Sequence, residues 1–145
     1  MYRLNTSIEI DASAERVWSL LMDFPAYPCW NPFIRSIEGN ATAGELLSIF
    51  IQPPGARGMR FRPKVLAIEL KREIRWKGKL LMPRLFDGEH YFKLEPKSSG
   101  GLVFHHCEEF SGLLVPLFRS SLDDSTKQGF IAMNKALKQE AERRR

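Results

Sequence analysis

"LDDSTKQGFIAMNKALKQEAERRR", residues 122–145, closes the chain and decides what the rest of it must build. Leu122, Thr126, Phe130, Met133, Leu137 and Ala141 recur every three to four positions, which puts them on one stripe of an α-helix. Asp123 and Asp124 suit the positive start of that helix, and the three arginines at 143–145 suit its negative end. The pattern predicts a helix of about 20 residues, longer than the usual mean. So long an apolar stripe needs a long apolar partner, and no second long helix is written upstream.

The partner is written as strands. From residue 33 to residue 106 the chain alternates short apolar-polar runs with turns. Residues 33–37 form one run, residues 45–52 another, and PPGARG at 53–58 is a turn cluster. Residues 59–70 and 73–79 read as a long hairpin around Lys71 and Arg72. Residues 86–95 and 102–110 read as a second hairpin around KSSGG. Met59 and Phe61 have one parity while Leu66 and Ile68 have the other, which a bulge near Pro63 reconciles. In residues 45–52 both faces are apolar, so parity does not assign an inside.

Ahead of these, residues 2–10 alternate as a strand, with Leu4, Ile8 and Ile10 on one face. Ser13 can cap a helix carrying Val17, Leu20, Leu21 and Phe24, which Pro25 and Pro28 stop or limit to one more short turn. The predicted class is α+β: a curved antiparallel sheet of roughly six to seven strands wrapped around the final helix, with two short helices after the first strand. A curved sheet cannot touch a cylinder everywhere, so a gap between them is a natural ligand cavity.

Bulk properties narrow the function. A chain of 145 residues fits one domain with one core. No apolar run approaches the roughly 20 residues of a spanning helix, and the start MYRLNTSIEID lacks a signal pattern. A soluble cytoplasmic protein without stable membrane insertion is expected. Cys29 and Cys107 have no metal-ligand spacing around them and read as reduced thiols; no metal or cofactor is expected. The net charge of +5 is spread out, with acidic residues between most basic clusters. It reads as a solvated basic face and not as a nucleic-acid stripe. Ser111 lies in Phe-Ser-Gly and not in a nucleophile elbow, and no glycine-rich phosphate loop is present.

One constellation carries chemistry. His90, Phe92 and Leu94 share a strand face, as do Phe104, His106, Glu108 and Phe110 on the next strand. If the KSSGG turn centres near Ser98 or Ser99, His90 lies opposite His106 or Glu108, and a similar pairing brings Trp76 beside His90 with Ile74 on the same face. The face is either a polar spot in an apolar pocket, fit to bind a ligand hydroxyl or carbonyl or to move a proton, or a satisfied network that holds strands together. A buried Glu108 would have a raised pKa. His105 falls on the opposite face and should be exposed. Trp30, in "YPCWNPFIRSIEG" at 27–39, either packs the core or walls the cavity. The candidates for lining the cavity are Trp30, Phe33, Ile74, Trp76, His90, Phe92, Phe104, His106, Glu108, Phe110, Phe130 and Met133. The loops PPGARG and MPRLFDG are candidate rims of its mouth.

Four stretches, "IDASAERVWSLLMDFPAYPCWNPFI", "IRWKGKLLMPRLFDGEHYF", "HCEEFSGLLVPL" and "GFIAMNKALKQEAE", resemble the START-like (SRPBCC) superfamily, most of all its bacterial polyketide cyclase/dehydrase-like branch. The resemblance covers nearly the whole chain. It implies a helix-grip fold and a small hydrophobic or amphipathic ligand held between sheet and helix by a monomer or weak homodimer. It also implies two alternatives: a polyketide cyclase or hydratase on a hydrophobic substrate, or an interaction domain like the ATPase activators of the superfamily. That branch shares no single catalytic signature, so no catalytic residue is carried over.

Overall fold

The computed structural model describes residues 1–79 and 86–143. Strand β1 (Tyr2–Ile10) leads into helix α1 (Ala14–Met22). Ser13 caps that helix, its hydroxyl accepting from the Arg16 N–H at 3.1 Å. A single 3₁₀ turn (Phe24–Ala26) carries Pro25, and a second short helix, α2 (Tyr27–Trp30), carries Pro28 near its start. Proline is tolerated there because the first helical N–H groups have no partner to lose. The Tyr27 hydroxyl donates to the Leu21 carbonyl at 2.7 Å and ties these turns to α1.

Asn31 then ends the helical stretch. Its buried Oδ1 accepts from the N–H groups of Phe33 at 2.9 Å and Ile34 at 2.8 Å, an Asx turn that aims the chain into the next strand. Strands β2 (Ile34–Glu38), β3 (Ser48–Ile51) and β4 (Met59–Phe61) form one antiparallel sheet in the order β2-β3-β4. Strands β5 (Lys64–Glu69), β6 (Glu73–Lys79), β7 (Asp87–Pro96) and β8 (Leu102–Ser111) form another with the first strand, in the order β1-β8-β7-β6-β5.

The antiparallel sheet set against a long final helix is as expected, and its hydrogen-bond ladder divides into these two runs instead of continuing as one meander. The run at 59–70 breaks at Arg62 and Pro63, because proline has no N–H for a ladder. The register also shifts between Val65 and Ala67, so Val65 is buried while Leu66 is exposed. The two sheets still join: the Leu47 N–H donates to the Pro63 carbonyl and the Val65 N–H to the Glu45 carbonyl, each at 2.8 Å. In the segment whose inside parity left open, Leu47 and Ile49 face the core.

The last helical run also starts earlier than Asp123 and Asp124. Helix α3 (Val115–Ser121), a wide π turn (Leu122–Thr126) and helix α4 (Lys127–Glu142) follow one another with right-handed helical backbone at every junction. Pro116 occupies the first turn of α3, and the two aspartates lie in the π turn. Phe130, Met133, Leu137 and Ala141 are buried along α4, as the stripe requires. They press on β1, β8 and α1. Both cysteines are free, Cys29 exposed and Cys107 buried. Among the described residues no helix is long and apolar enough to cross a membrane.

Candidate ligand-binding site

The turn after β7 sets the register of the site. Gly100 and Gly101 take φ of 98° and 73°, which admits the tight reversal, and the Lys97 N–H donates to the Gly101 carbonyl at 3.0 Å. His90 consequently pairs with Glu108, Phe92 with His106 and Leu94 with Phe104. On the other side Trp76 pairs with His90 and Ile74 with Phe92. Strand alternation turns all of these toward the helical layer.

That layer does not sit evenly on the sheet. Beneath α4 the contact is solid: the His106 ring stacks on Phe130 with centroids 3.9 Å apart, and Ile74, Phe92, Phe104 and Met133 are no more than 1% exposed. Beneath α3 and the π turn a cavity of about 450 Å³ remains. Ile34, Ile49 and Phe61 wall it on one side, Trp76, His90, Glu108 and Phe110 on another, and Phe118, Leu122 and Thr126 cover it. The gap therefore lies under the start of the predicted stripe, at Leu122 and Thr126, and under the helix before it, and not along the rest of the stripe.

Of the residues singled out from sequence, Phe33, Trp76, His90, Glu108 and Phe110 line the cavity. Ile74, Phe92, Phe104, Phe130 and Met133 are packed into the core between α4 and the sheet, with His106 buried among them. Trp30 is half-buried against Tyr27, with ring centroids 5.3 Å apart, and does not reach the cavity. Pro53, Ala56 and Arg57 place the PPGARG loop on the cavity wall. Of MPRLFDG, residues 82–85 lie outside the described residues; Phe86 lines the cavity and stacks on Phe118 at 5.0 Å. His105 is on the opposite face as expected, yet half-buried, 2.8 Å from the Glu95 carboxylate.

Sequence reading missed Asn134 and Thr6. Asn134 is 2% exposed on α4, and its Oδ1 lies 2.9 Å from His106 Nδ1. Its Nδ2 donates to the Thr6 hydroxyl at 2.9 Å, and that hydroxyl donates to the His106 carbonyl at 2.8 Å. The signal was available: Asn134 stands four after Phe130 and three before Leu137, a polar residue inside an apolar stripe.

The electrostatics follow from burial. His106 Nε2 and His90 Nε2 are 2.8 Å apart. Burial holds the pKa of His106 down to about 3, although its bond to Asn134 acts in the other direction. Burial, then the neighbouring His106, holds His90 well below the ordinary imidazole value. Both rings are neutral at neutral pH. Glu108 is half-buried, since its carboxyl borders the cavity while protein surrounds it elsewhere. No described group bonds to it, and desolvation pushes its pKa up to about 8. Its carboxyl lies directly over Gly88, where any Cβ would strike Glu108 Oε2. Among the described residues no group of three or more His, Cys, Asp or Glu side chains is placed to hold a metal ion.

A wider groove of about 800 Å³ crosses the outer face of the sheet. Its wall is polar, and Arg75 there is already bound to Glu73 at 3.0 Å and Glu89 at 2.7 Å while lying over the Tyr91 ring. For an apolar ligand the smaller cavity is the better solvent.

The chain belongs to the polyketide cyclase/dehydrase and lipid transport family, whose model matches residues 1–142. Its fold is similar to that of the Zhui aromatase/cyclase from Streptomyces sp. R1128, at 16% identity and a TM-score of 0.76 over 99% of this chain and 94% of that one. A START superfamily protein from Mycobacterium smegmatis is similar at 20% identity and a TM-score of 0.71, over 96% of this chain and 99% of that one. The di-domain aromatase/cyclase StfQ of the steffimycin biosynthetic pathway matches at 12% identity and a TM-score of 0.76, over 97% of this chain; the chain spans 50% of its length. At these identities the structures establish the helix-grip fold. No match is found among curated protein sequences.

Proposed function

We propose that this protein, acting as one START-like domain, binds a small hydrophobic or amphipathic molecule in the cavity beneath α3 and the π turn. The observation that carries the reading is an apolar cavity of about 450 Å³ whose wall holds two ionisable groups, the buried His90 and the half-buried Glu108. Its size falls within the roughly 300–1,000 Å³ of small-molecule sites, and a few polar groups in an apolar wall are what fixes a ligand's orientation. We take the protein to be a monomer or weak homodimer that does not engage nucleic acid.

The test is a native mass spectrum of the freshly purified protein, followed by thermal denaturation with added apolar and amphipathic molecules. Retained small-molecule mass, or a raised melting temperature with such additives, is expected. A bare mass together with no thermal response to any of them at any concentration contradicts the reading.

A cyclase- or hydratase-like activity is the second reading. It is favoured by the position of His90 and Glu108 on the cavity wall, where a neutral imidazole and a carboxylic acid can exchange protons with a substrate. The interaction-domain reading has less behind it: of the large exposed apolar side chains, Leu113, Leu117 and Phe118 share one short stretch, while Leu46 and Leu70 lie on separate segments.

A further inference from the structure

The buried chain behind His90 fixes where each proton sits. Thr6 spends its single hydroxyl hydrogen on the His106 carbonyl, so toward Asn134 it can only accept. The atom facing it is therefore Asn134 Nδ2, and Asn134 Oδ1 is turned to His106. A carbonyl oxygen only accepts, so His106 Nδ1 carries a hydrogen. One further hydrogen lies between His106 Nε2 and His90 Nε2. Placing it on His106 would create an imidazolium packed against Phe130 and Phe92 with no carboxylate bonded to it, and an unpaired buried charge is costly. The hydrogen belongs to His90 Nε2, which leaves His90 Nδ1 a bare lone pair.

That nitrogen is buried and has no partner. The ring cannot turn to relieve it, since Trp76 stacks on its face at 4.6 Å and Phe130 meets it edge-on at 5.6 Å. The same ring lines the cavity, and Glu108, paired with His90 across the strands, lines it too with an unbonded carboxyl. His90 thus offers an acceptor and Glu108, in its acid form, a donor; the hydroxyls of Ser121, Ser125 and Thr126 border the same cavity from the helical side. Among the described lining residues Arg57 is the only cation, and it is exposed on the PPGARG loop.

We propose that the Thr6–Asn134–His106 chain locks His90 so that its Nδ1 receives the hydroxyl of an uncharged ligand, with Glu108 donating to an oxygen of the same molecule. This rests on the ligand-binding reading above and narrows it from any apolar molecule to neutral hydroxyl-bearing ones, such as phenols and alcohols.

The chain has three histidines, so nitrogen-15 spectra of histidine-labelled protein resolve each ring. At pH 7 the free protein should show His90 protonated on Nε2 alone and His106 on Nδ1 alone. Titration with 2-naphthol should move the His90 Nδ1 resonance. 2-Methylnaphthalene, of the same shape without the hydroxyl, should bind about tenfold more weakly, about 1.4 kcal/mol, and leave that resonance in place. 2-Naphthoate, for whose charge Arg57 is the one cation among the described lining residues, should leave it in place too. A proton on His90 Nδ1, equal affinity for the naphthol and its methyl analogue, or a naphthoate-induced shift at His90 overturns the proposal while the binding reading stands. Failure of all three probes to bind overturns the proposal, and the binding reading falls with it when the native mass is also bare and no other apolar or amphipathic molecule raises the melting temperature.

Discussion

His90 and Glu108 face each other across two strands with opposite needs, and pH separates them. Both buried histidines are held below the ordinary value of 6.5, His106 at about 3, so the unfolded chain binds protons that the folded one refuses as pH falls below 6.5. Stability is then lost on acidification. Glu108 works in the other direction: raised from 4.5 to about 8, it keeps a proton in the folded state that the unfolded state has released, so stability is lost as pH rises toward 8. Each group contributes at most about 1.4 kcal/mol per pH unit, and two histidines outweigh one carboxyl below 6.5. Urea unfolding across pH 4 to 8.5 should show maximal stability near pH 6.5. In Glu108→Gln the decline above 6.5 should flatten while the acid limb persists; an unchanged alkaline limb would count against a neutral Glu108 in the fold. The even-face cluster was legible because strand parity and one short hairpin turn fix it. That His90 bonds His106, and not its direct partner Glu108, was not legible, because it depends on rotamers that Asn134 and Phe130 impose from the helix.

At the scale of elements, the cavity exists because one part of the final helical run touches the sheet and another stands off. Gly129 marks the changeover. A Cβ there would strike the Phe33 ring, so glycine is what lets α4 approach while Phe33 lines the cavity. Alanine in a helix interior normally gains about 1 kcal/mol over glycine. Here overpacking costs about 1–3 kcal/mol. Gly129→Ala should therefore be destabilised by about 1 kcal/mol in urea unfolding; a gain in stability would show that Phe33 moves aside freely. The long helix was plain from its stripe, but its earlier turns were not, since Gly112 and Pro116 look like breakers. Pro116 in a first turn is instead a start signal. Pro63 did point to an irregularity, and the chain answers it twice, with a strand break and a register shift at Val65. What parity alone cannot tell is that the pieces on either side of Pro63 join different sheets.

At the scale of the whole molecule, order of elements and apolar pattern were enough for the fold, because a single long stripe leaves a curved sheet as its only partner. They were not enough to place the cavity, which is set by the difference between a packed helix and a raised one a few residues apart. Location is therefore decisive: the proposed site for a small apolar molecule is under α3 and the π turn, and not in the larger polar groove outside. The most direct measurement is the set of nuclear Overhauser effects between bound 2-naphthol and the protein's side chains. Contacts with Trp76, Phe110 and Phe118 are predicted. Contacts confined to Tyr91, Lys93 and the outer face of the sheet would contradict it.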